Sequence, residues 1–126
     1  MIVLDIETSG LDPTTCGIWQ IAAMDFESGK IFFDEGRIDD DDFVEAGALE
    51  VIGKTEGELR SAAKKSQKTL LENFLRWLES VGVSNFICHN PHFDVGFIAI
   101  KLRKYELYYR LRIPHRSFDL HSIASL

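Results

Sequence analysis

The sequence IVLDIETSGL at residues 2–11 is an apolar run that ends in two carboxylates and a glycine. The apolar residues predict a buried strand, in which alternate side chains share a face and the rise is about 3.3 Å per residue. Asp5 and Glu7 then lie about 6.6 Å apart on one face. Because like charges repel, this pair predicts a site for divalent cations, and the alternative is an exposed strand end with solvated acids. Gly10 predicts a turn whose φ other residues resist, which leaves loop amides available to a ligand.

The chain has 126 residues and a formal net charge of −6. Its length and composition indicate one soluble domain with its own core. The acidic charge argues against a protein that holds nucleic acid by bulk positive charge, although metal ions can supply that charge to a nucleic-acid enzyme. The two cysteines lack metal-ligand spacing and indicate free thiols in a reducing compartment. We expect a cytoplasmic protein without membrane association, because we find neither a basic leader nor a membrane-spanning run.

Hydrophobic patterning along the rest of the chain predicts further strands and helices. Residues 18–26 and 31–33 predict a hairpin beside the first strand. Apolar residues at helical spacing predict an amphipathic helix over residues 67–81 that ends at Gly82. A short helix that ends at Gly53 is expected over residues 46–52, and residues 58–65 are expected to form a polar helix or a linker.

A third carboxylate is predicted to lie near the first two. Residues 85–88 form a short buried strand, and the following Asn90 and Pro91 mark the start of a helix that extends to about residue 108. Asp94 then lies in the first turn, where the helix dipole favours a negative charge, at the strand end where α/β sheets place their sites. A last strand over residues 116–119 completes an α/β fold with a mixed five-stranded sheet flanked by helices.

Two charged runs have alternative interpretations. Residues 39–42 are consecutive aspartates, which we expect in a solvated loop because packed acids would repel; their spacing does not match a calcium loop. A basic stretch between residues 101 and 116 predicts either a surface that follows phosphates or an ordinary solvated face. Its members are Lys101, Arg103, Lys104, Arg110, Arg112 and Arg116.

Two motifs together resemble a known family. DIETSGL at residues 5–11 and HNPHFDVGF at residues 89–97 resemble the first and second motifs of the DnaQ-like branch of the DEDD 3′-to-5′ exonucleases, which have a ribonuclease H-like fold. IGKT at residues 52–55 resembles a connector often found between these two motifs. FDL at residues 118–120 resembles the strand-to-helix turn that follows the second motif. The resemblance extends over nearly the whole chain.

The resemblance implies a site for two Mg²⁺ or Mn²⁺ ions. Asp5 would bridge both ions, Glu7 would hold the ion that bears the attacking water, and Asp94 would serve the second ion. Two divalent ions balance the charge of three carboxylates and a phosphodiester, and their preference for oxygen ligands suits these side chains.

The family also implies a pocket for the terminal nucleotide of the substrate. Backbone groups of Thr8 and Ser9, in the loop that contains Gly10, would hold that nucleotide. Leu11 would wedge against its base, and Asn90 and Phe93 would line the pocket. For Leu11 and Phe93, the alternative is packing in the core.

The family's third motif, a histidine followed by an aspartate, has no counterpart in the chain. His115 and Asp119 only superficially resemble such a pair, because Asp119 falls in the turn after the last predicted strand. We therefore expect a single exonuclease-like domain over residues 1–126, truncated at its C-terminus and lacking the C-terminal helix. General-base catalysis, which contributes typically about 10² to 10⁴-fold, would then be absent.

These observations leave different functions open. The first is the front portion of a metal-dependent exonuclease that trims the 3′ end of single-stranded DNA or RNA. A polymerase is one partner that such an exonuclease could have. The second is a non-catalytic module that binds nucleic-acid ends or a protein. The third is that the resemblance to the exonucleases is coincidental. In that case the chain would fold without any response to Mg²⁺ or Mn²⁺. An apolar face left by a missing helix would also promote homodimers.

Overall fold

The structure, a computed structural model, describes residues 1–82, 86–88 and 91–108. In chain order, the elements of this part of the chain are β1 (Ile2–Thr8), β2 (Ile18–Asp25), β3 (Ile31–Glu35), α1 (Ala46–Ile52), α2 (Glu56–Leu59), α3 (Gln67–Val81), β4 (Phe86–Cys88) and α4 (Pro91–Lys104). The predicted strand over residues 116–119 and the helix that follows it lie outside the described residues.

The four strands form one mixed sheet in the order β3-β2-β1-β4. β1 pairs antiparallel with β2, so that Asp5 is opposite Ala22 and Glu7 is opposite Gln20. β4 runs parallel to β1, with Leu4 opposite Cys88. A parallel pair needs a long crossover, which the chain makes through α1, α2 and α3. The predicted hairpin and mixed sheet are therefore confirmed.

The main core lies on one face of this sheet. Alternate residues Ile2, Leu4 and Ile6 of β1 are buried, as period-two patterning predicts. They share a hydrophobic cluster with buried side chains of α3 and α4, among which Phe74 and Phe97 are the largest. The opposite face of β1 carries Val3, Asp5 and Glu7, which leaves both carboxylates free of the core.

Two helices end at the glycines predicted from the sequence. α3 begins after Ser66, whose hydroxyl accepts a hydrogen bond from the backbone N–H of Thr69, and it ends at Gly82 with φ 68°. α1 ends at Gly53 with φ 67°. Both glycines adopt the left-handed conformation that helix ends favour. None of the helices in the described ranges is long and apolar enough to cross a membrane.

Two helices differ from the prediction. α2 is a single turn that follows the capping residue Thr55, and residues 60–65 are not helical, which agrees with the linker alternative. α4 ends at Lys104 instead of near residue 108, because Glu106 adopts a left-handed conformation with φ 58°. The backbone N–H groups of Glu106 and Leu107 then donate to the carbonyls of Arg103 and Leu102, which closes the helix end.

The prediction of a solvated loop for the four aspartates is wrong for Asp42. Asp42 is only 4% exposed, and its Oδ1 atom accepts a hydrogen bond of 2.9 Å from Nζ of Lys101. Lys104 lies 2.8 Å from Asp39 and 2.9 Å from Asp41. The run can pack because α4 supplies cations that offset its charge.

The same contacts correct both interpretations of the basic stretch, as far as it is described. Lys101 is 2% exposed and Lys104 is bound to the aspartates, so these two lysines neither follow phosphates nor form an ordinary solvated face. Arg103 is exposed and lies over the ring of Tyr108 at 5.0 Å. Arg110, Arg112 and Arg116 lie outside the described residues.

Candidate active site at the end of β1

Asp5 and Glu7 occupy the open face of β1, as the alternation predicts. Asp5 is exposed, and Glu7, at the end of the strand, is half-buried. Burial raises the pKa of Glu7, and repulsion from the neighbouring Asp5 raises it further. The two acids are therefore an electrostatically unfavourable pair that a cation would relieve.

The loop after β1 is held by the side chains of Thr8 and Ser9. The Thr8 hydroxyl donates to the carbonyl of Gly10 at 2.7 Å. The Ser9 hydroxyl donates to the carbonyl of Phe43 at 2.7 Å and accepts from the N–H of Gly17 at 2.9 Å. Both hydroxyls are thus used to brace the loop.

The backbone of Ser9 also belongs to this brace. Its N–H donates to the carbonyl of Gly17, and its carbonyl accepts from the N–H of Glu45, each at 2.9 Å. A residue has one backbone N–H to donate. The Ser9 N–H is therefore used within the loop, and the implied role of Ser9 backbone groups in holding a nucleotide stays a prediction.

Gly10 is required for space and not for its φ, which corrects the prediction. The glycines with positive φ in the described residues are Gly29, Gly53 and Gly82. A Cβ atom on Gly10 would lie 2.5 Å from Cδ of Glu45 and 2.6 Å from Sγ of Cys16. The Glu45 side chain therefore crosses closely over the loop at this glycine.

An apolar groove of about 390 Å³ adjoins Glu7. Leu11 lines one side and is 75% exposed, so the alternative of core packing is wrong for this residue. Phe93 lines the groove and is also partly buried against the core, with its ring 5.2 Å from that of Phe97. The remaining lining residues are Ile6, Thr8, Gly10, Glu45, Gly47, Ala48, Val51 and Ile52.

Sequence reasoning missed the part of the groove formed by Glu45 and α1. Val51 is 87% exposed although it is aliphatic, and it lines the groove together with Ala48. The connector resemblance at residues 52–55 points to this region of the chain. Nothing in the local pattern indicates that the Glu45 carboxylate turns back to the loop after β1.

Asp94 lies in the first turn of α4, as predicted, and is only 2% exposed. In the described ranges, the only group of three acids whose ligand atoms all lie within 4.8 Å is Asp39, Asp41 and Asp42, which the α4 lysines contact. The structure therefore does not bring Asp94 into such a group with Asp5 and Glu7. Asn90 lies outside the described residues.

The chemistry of these acids fits divalent metal ions. Asp5, Glu7 and Asp94 offer only carboxylate oxygens, the donors that Mg²⁺ and Mn²⁺ prefer. The pKa of Glu7 is raised first by burial and then by repulsion from Asp5, and a cation beside Asp5 would offset this repulsion. Asp5 and Glu7 are the members of the set that the open face of the sheet leaves accessible.

Comparison with known proteins places the chain among nucleases. Residues 2–124 match the family RNase_T, described as exonuclease. The PolC-type DNA polymerase III of Thermotoga petrophila is 33% identical over 105 residues, which cover 82% of this chain and 7% of that protein. The PolC-type DNA polymerase III of Streptococcus pyogenes serotype M1 is 33% identical over 108 residues, which cover 84% of this chain and 7% of that protein. The chain thus spans a small fraction of the length of these relatives.

Solved structures show the same fold. A product-bound exonuclease I has a TM-score of 0.64 at 21% identity, covering 92% of this chain and 27% of that chain. Escherichia coli exonuclease I in complex with a dT13 oligonucleotide has a TM-score of 0.59 at 21% identity, and the match covers 97% of this chain and 26% of that chain. The predicted ribonuclease H-like fold is therefore confirmed. Because the family match extends over residues 2–124, and because both carboxylate motifs lie within it, the chain belongs to the RNase_T exonucleases, of the DnaQ-like 3′-to-5′ type.

Proposed function

We propose that this chain is the nuclease domain of a 3′-to-5′ exonuclease that hydrolyses phosphodiester bonds at the 3′ end of single-stranded DNA. The observation that carries the proposal is the placement of Asp5 and Glu7 on the open face of β1, with Glu7 lining an apolar groove of about 390 Å³. Acids that would hold divalent cations at one side of an apolar groove suit a substrate with a negatively charged phosphate and a flat base.

The groove is proposed to hold the terminal nucleoside. Leu11 and Val51 expose aliphatic surface on its walls, and Phe93 adds an aromatic ring. Such surfaces bind a base through its faces, which makes binding tolerant of base identity. The buried side chains of Thr8 and Ser9 make the hydrogen bonds that fix the loop containing Leu11.

Exonucleases of this family generally use divalent metal ions. We infer that Asp5, Glu7 and Asp94 of this chain would hold two Mg²⁺ or Mn²⁺ ions. When bound, such ions activate water and neutralise charge on the phosphodiester. The acids of the chain would orient the ions, while the groove excludes water from around the terminal nucleoside.

DNA is the proposed substrate because of the proteins that this chain resembles. The PolC-type relatives are DNA polymerases by name, and an exonuclease I of the same fold is described in complex with a DNA oligonucleotide. We extend this to the proposal that the domain acts beside a polymerase. RNA as the better substrate would be an outcome of the experiment below.

A non-catalytic module that binds nucleic-acid ends is the second candidate. It is favoured by the arrangement of the acids, because the carboxylate atoms of Asp5, Glu7 and Asp94 do not all lie within 4.8 Å of one another. In such a module the groove would bind the end without hydrolysis.

The test is release of nucleotides from a 3′-labelled single strand in Mn²⁺, with DNA and RNA versions of the strand. The wild-type chain is compared with Asp5→Ala and with a control, Glu27→Ala, which removes an exposed acid at the β2–β3 turn. We expect release by wild type and control and its loss in Asp5→Ala. No release by any of the three, with retained strand binding, would favour the second candidate.

We further propose that two copies of the chain associate along β3, which β2 separates from the acids of β1. Ile31 and Phe33 of β3 are 68% and 62% exposed. Exposed apolar patches of this kind mark association surfaces. Light scattering at increasing concentration should show dimers, and Phe33→Ser should reduce them; a monomer throughout would contradict this proposal.

A further inference from the structure

The carboxylate of Asp42 is buried within a polar network. Its Oδ1 atom accepts from Nζ of Lys101 at 2.9 Å, and the side chains of this pair are only 2% and 3% exposed. Its Oδ2 atom accepts from Nε2 of Gln67 and from the N–H of Asp39, each at 2.8 Å. A buried ion pair is costly to desolvate, and these additional hydrogen bonds offset that cost.

This network reaches the loop that follows β1. Gln67 accepts a hydrogen bond of 2.7 Å from the N–H of Ile18, at the start of β2. Gly17 lies so close that a Cβ atom there would be 2.4 Å from Oδ2 of Asp42. Phe43 follows Asp42 in the chain, and its carbonyl accepts a hydrogen bond from the hydroxyl of Ser9. Asp42 therefore lies against the segment that closes the loop carrying Thr8, Ser9 and Gly10.

The network also reaches the helix that carries the third acid. Lys101 follows Asp94 by seven residues in α4, so the two lie nearly two turns and about 10.5 Å apart on the same side of the helix. Both residues are buried, and each residue as a whole is 2% exposed. A bond to Lys101 thus restrains the rotation of α4 and its position along the axis, and both determine where Asp94 lies relative to β1.

We propose that the buried Asp42–Lys101 ion pair is a positioning device that sets Asp94 relative to Asp5 and Glu7. The pair joins α4, which carries Asp94, to the segment that closes the loop directly after β1, the strand that carries Asp5 and Glu7. Neither Asp42 nor Lys101 is proposed to touch substrate or metal. This inference rests on the proposed function, because the role of Asp94 belongs to it.

The test replaces both charges at once, because loss of one partner alone would leave a buried unpaired charge and could unfold the chain. Asp42→Asn/Lys101→Met keeps the size of both side chains. The matched control is Asp34→Asn/Lys65→Met, which removes an ion pair of 2.5 Å that lies away from α4. Mn²⁺ affinity is measured by titration calorimetry. Hydrogen exchange is followed by mass spectrometry at residues 91–98 and 8–17.

We expect the Asp42/Lys101 variant to bind Mn²⁺ at least about tenfold more weakly, the loss typical when the groups that orient a ligand are removed. Exchange at residues 91–98 should become faster, although that segment lies about two turns from the altered pair. The control variant should match wild type in both measurements. Wild-type Mn²⁺ affinity in the Asp42/Lys101 variant, or faster exchange confined to the residues around position 101, would overturn the inference.

The two proposals fail in distinguishable ways. If wild type binds no Mn²⁺ and Asp5→Ala changes nothing, the proposed function fails. Hydrogen exchange still decides the inference in that case: unchanged exchange at residues 91–98 would show that the pair does not position the first turn of α4.

Discussion

The backbone N–H of Leu11 donates a hydrogen bond of 3.0 Å to the Oε1 atom of Glu45, 34 positions later in the chain. Glu45 immediately precedes α1, yet its side chain makes no capping bond to that helix. Its carboxylate instead fixes the exposed Leu11 at the edge of the apolar groove. This contact ties one wall of the groove to the other.

We predict that Glu45→Ala weakens substrate binding while the chain stays folded. The loss of one hydrogen bond, about 1 kcal/mol net, corresponds to a rise of about fivefold in KM for a single-stranded substrate. Glu45→Gln keeps the acceptor and should remain near wild type. Steady-state kinetics on a 3′-labelled strand make the comparison, and an unchanged KM in Glu45→Ala would refute the role assigned to this contact.

Gly10→Ala should destabilise the chain by about 1 to 3 kcal/mol, the usual cost of overpacking. The added methyl group would lie 2.5 Å from Cδ of Glu45 and 2.6 Å from Sγ of Cys16. The matched control is Gly96→Ala, where a Cβ atom meets nothing within 4 Å and α4 should gain up to about 1 kcal/mol. Urea unfolding of both variants measures the difference, and equal effects would contradict the close approach seen at Gly10.

Asp5→Asn should lower the pKa of Glu7 and stabilise the metal-free chain at neutral pH. The folded-state pKa of Glu7 is raised by burial and by Asp5, so ionisation of Glu7 costs stability once the pH exceeds the ordinary value of a glutamate. The expected gain is below about 1 kcal/mol, because the pair is partly solvated. It should disappear below about pH 4, where the acids are protonated.

This prediction is checked by NMR titration of the Glu7 carboxyl and by urea unfolding between pH 3 and 8 in a chelating buffer. Glu50→Gln, which neutralises an exposed acid of α1, should leave the Glu7 pKa unchanged. A Glu7 pKa that does not move in Asp5→Asn would exclude the repulsion between these two acids.

Glu106→Gly should stabilise the chain by about 0.5 to 1 kcal/mol. Glu106 has φ 58°, and a left-handed conformation costs a non-glycine residue about 1 to 2 kcal/mol, part of which the flexibility of glycine in the unfolded chain offsets. Arg76→Gly, on the exposed side of α3, should instead lower the free energy of unfolding by about 1 kcal/mol. Thermal unfolding compares them, and destabilisation by both changes would contradict this account of the α4 end.

Several features of the fold could be predicted because they depend on local patterns. Alternation in residues 2–8 buries Ile2 and leaves Asp5 and Glu7 together on the open face of β1. Apolar residues at helical spacing define α3 with its observed limits, and the glycines after α1 and α3 end both helices as predicted. The two carboxylate motifs then identify the family, because each combines strand or helix position with a particular chemistry.

The tertiary structure decided which charged residues are buried and which loop residues form the groove. The burial of Asp42 depends on Lys101, 59 positions away, and the need for glycine at position 10 depends on the Glu45 side chain. Periodicity reports only which face a residue lies on, whereas the cost of burying a charge or adding a methyl group is set by neighbours that the fold brings from elsewhere. The sequence by itself therefore determined the elements, the family and the acids on β1, and only tertiary packing determined how the loop after β1, α1 and α4 are held around them.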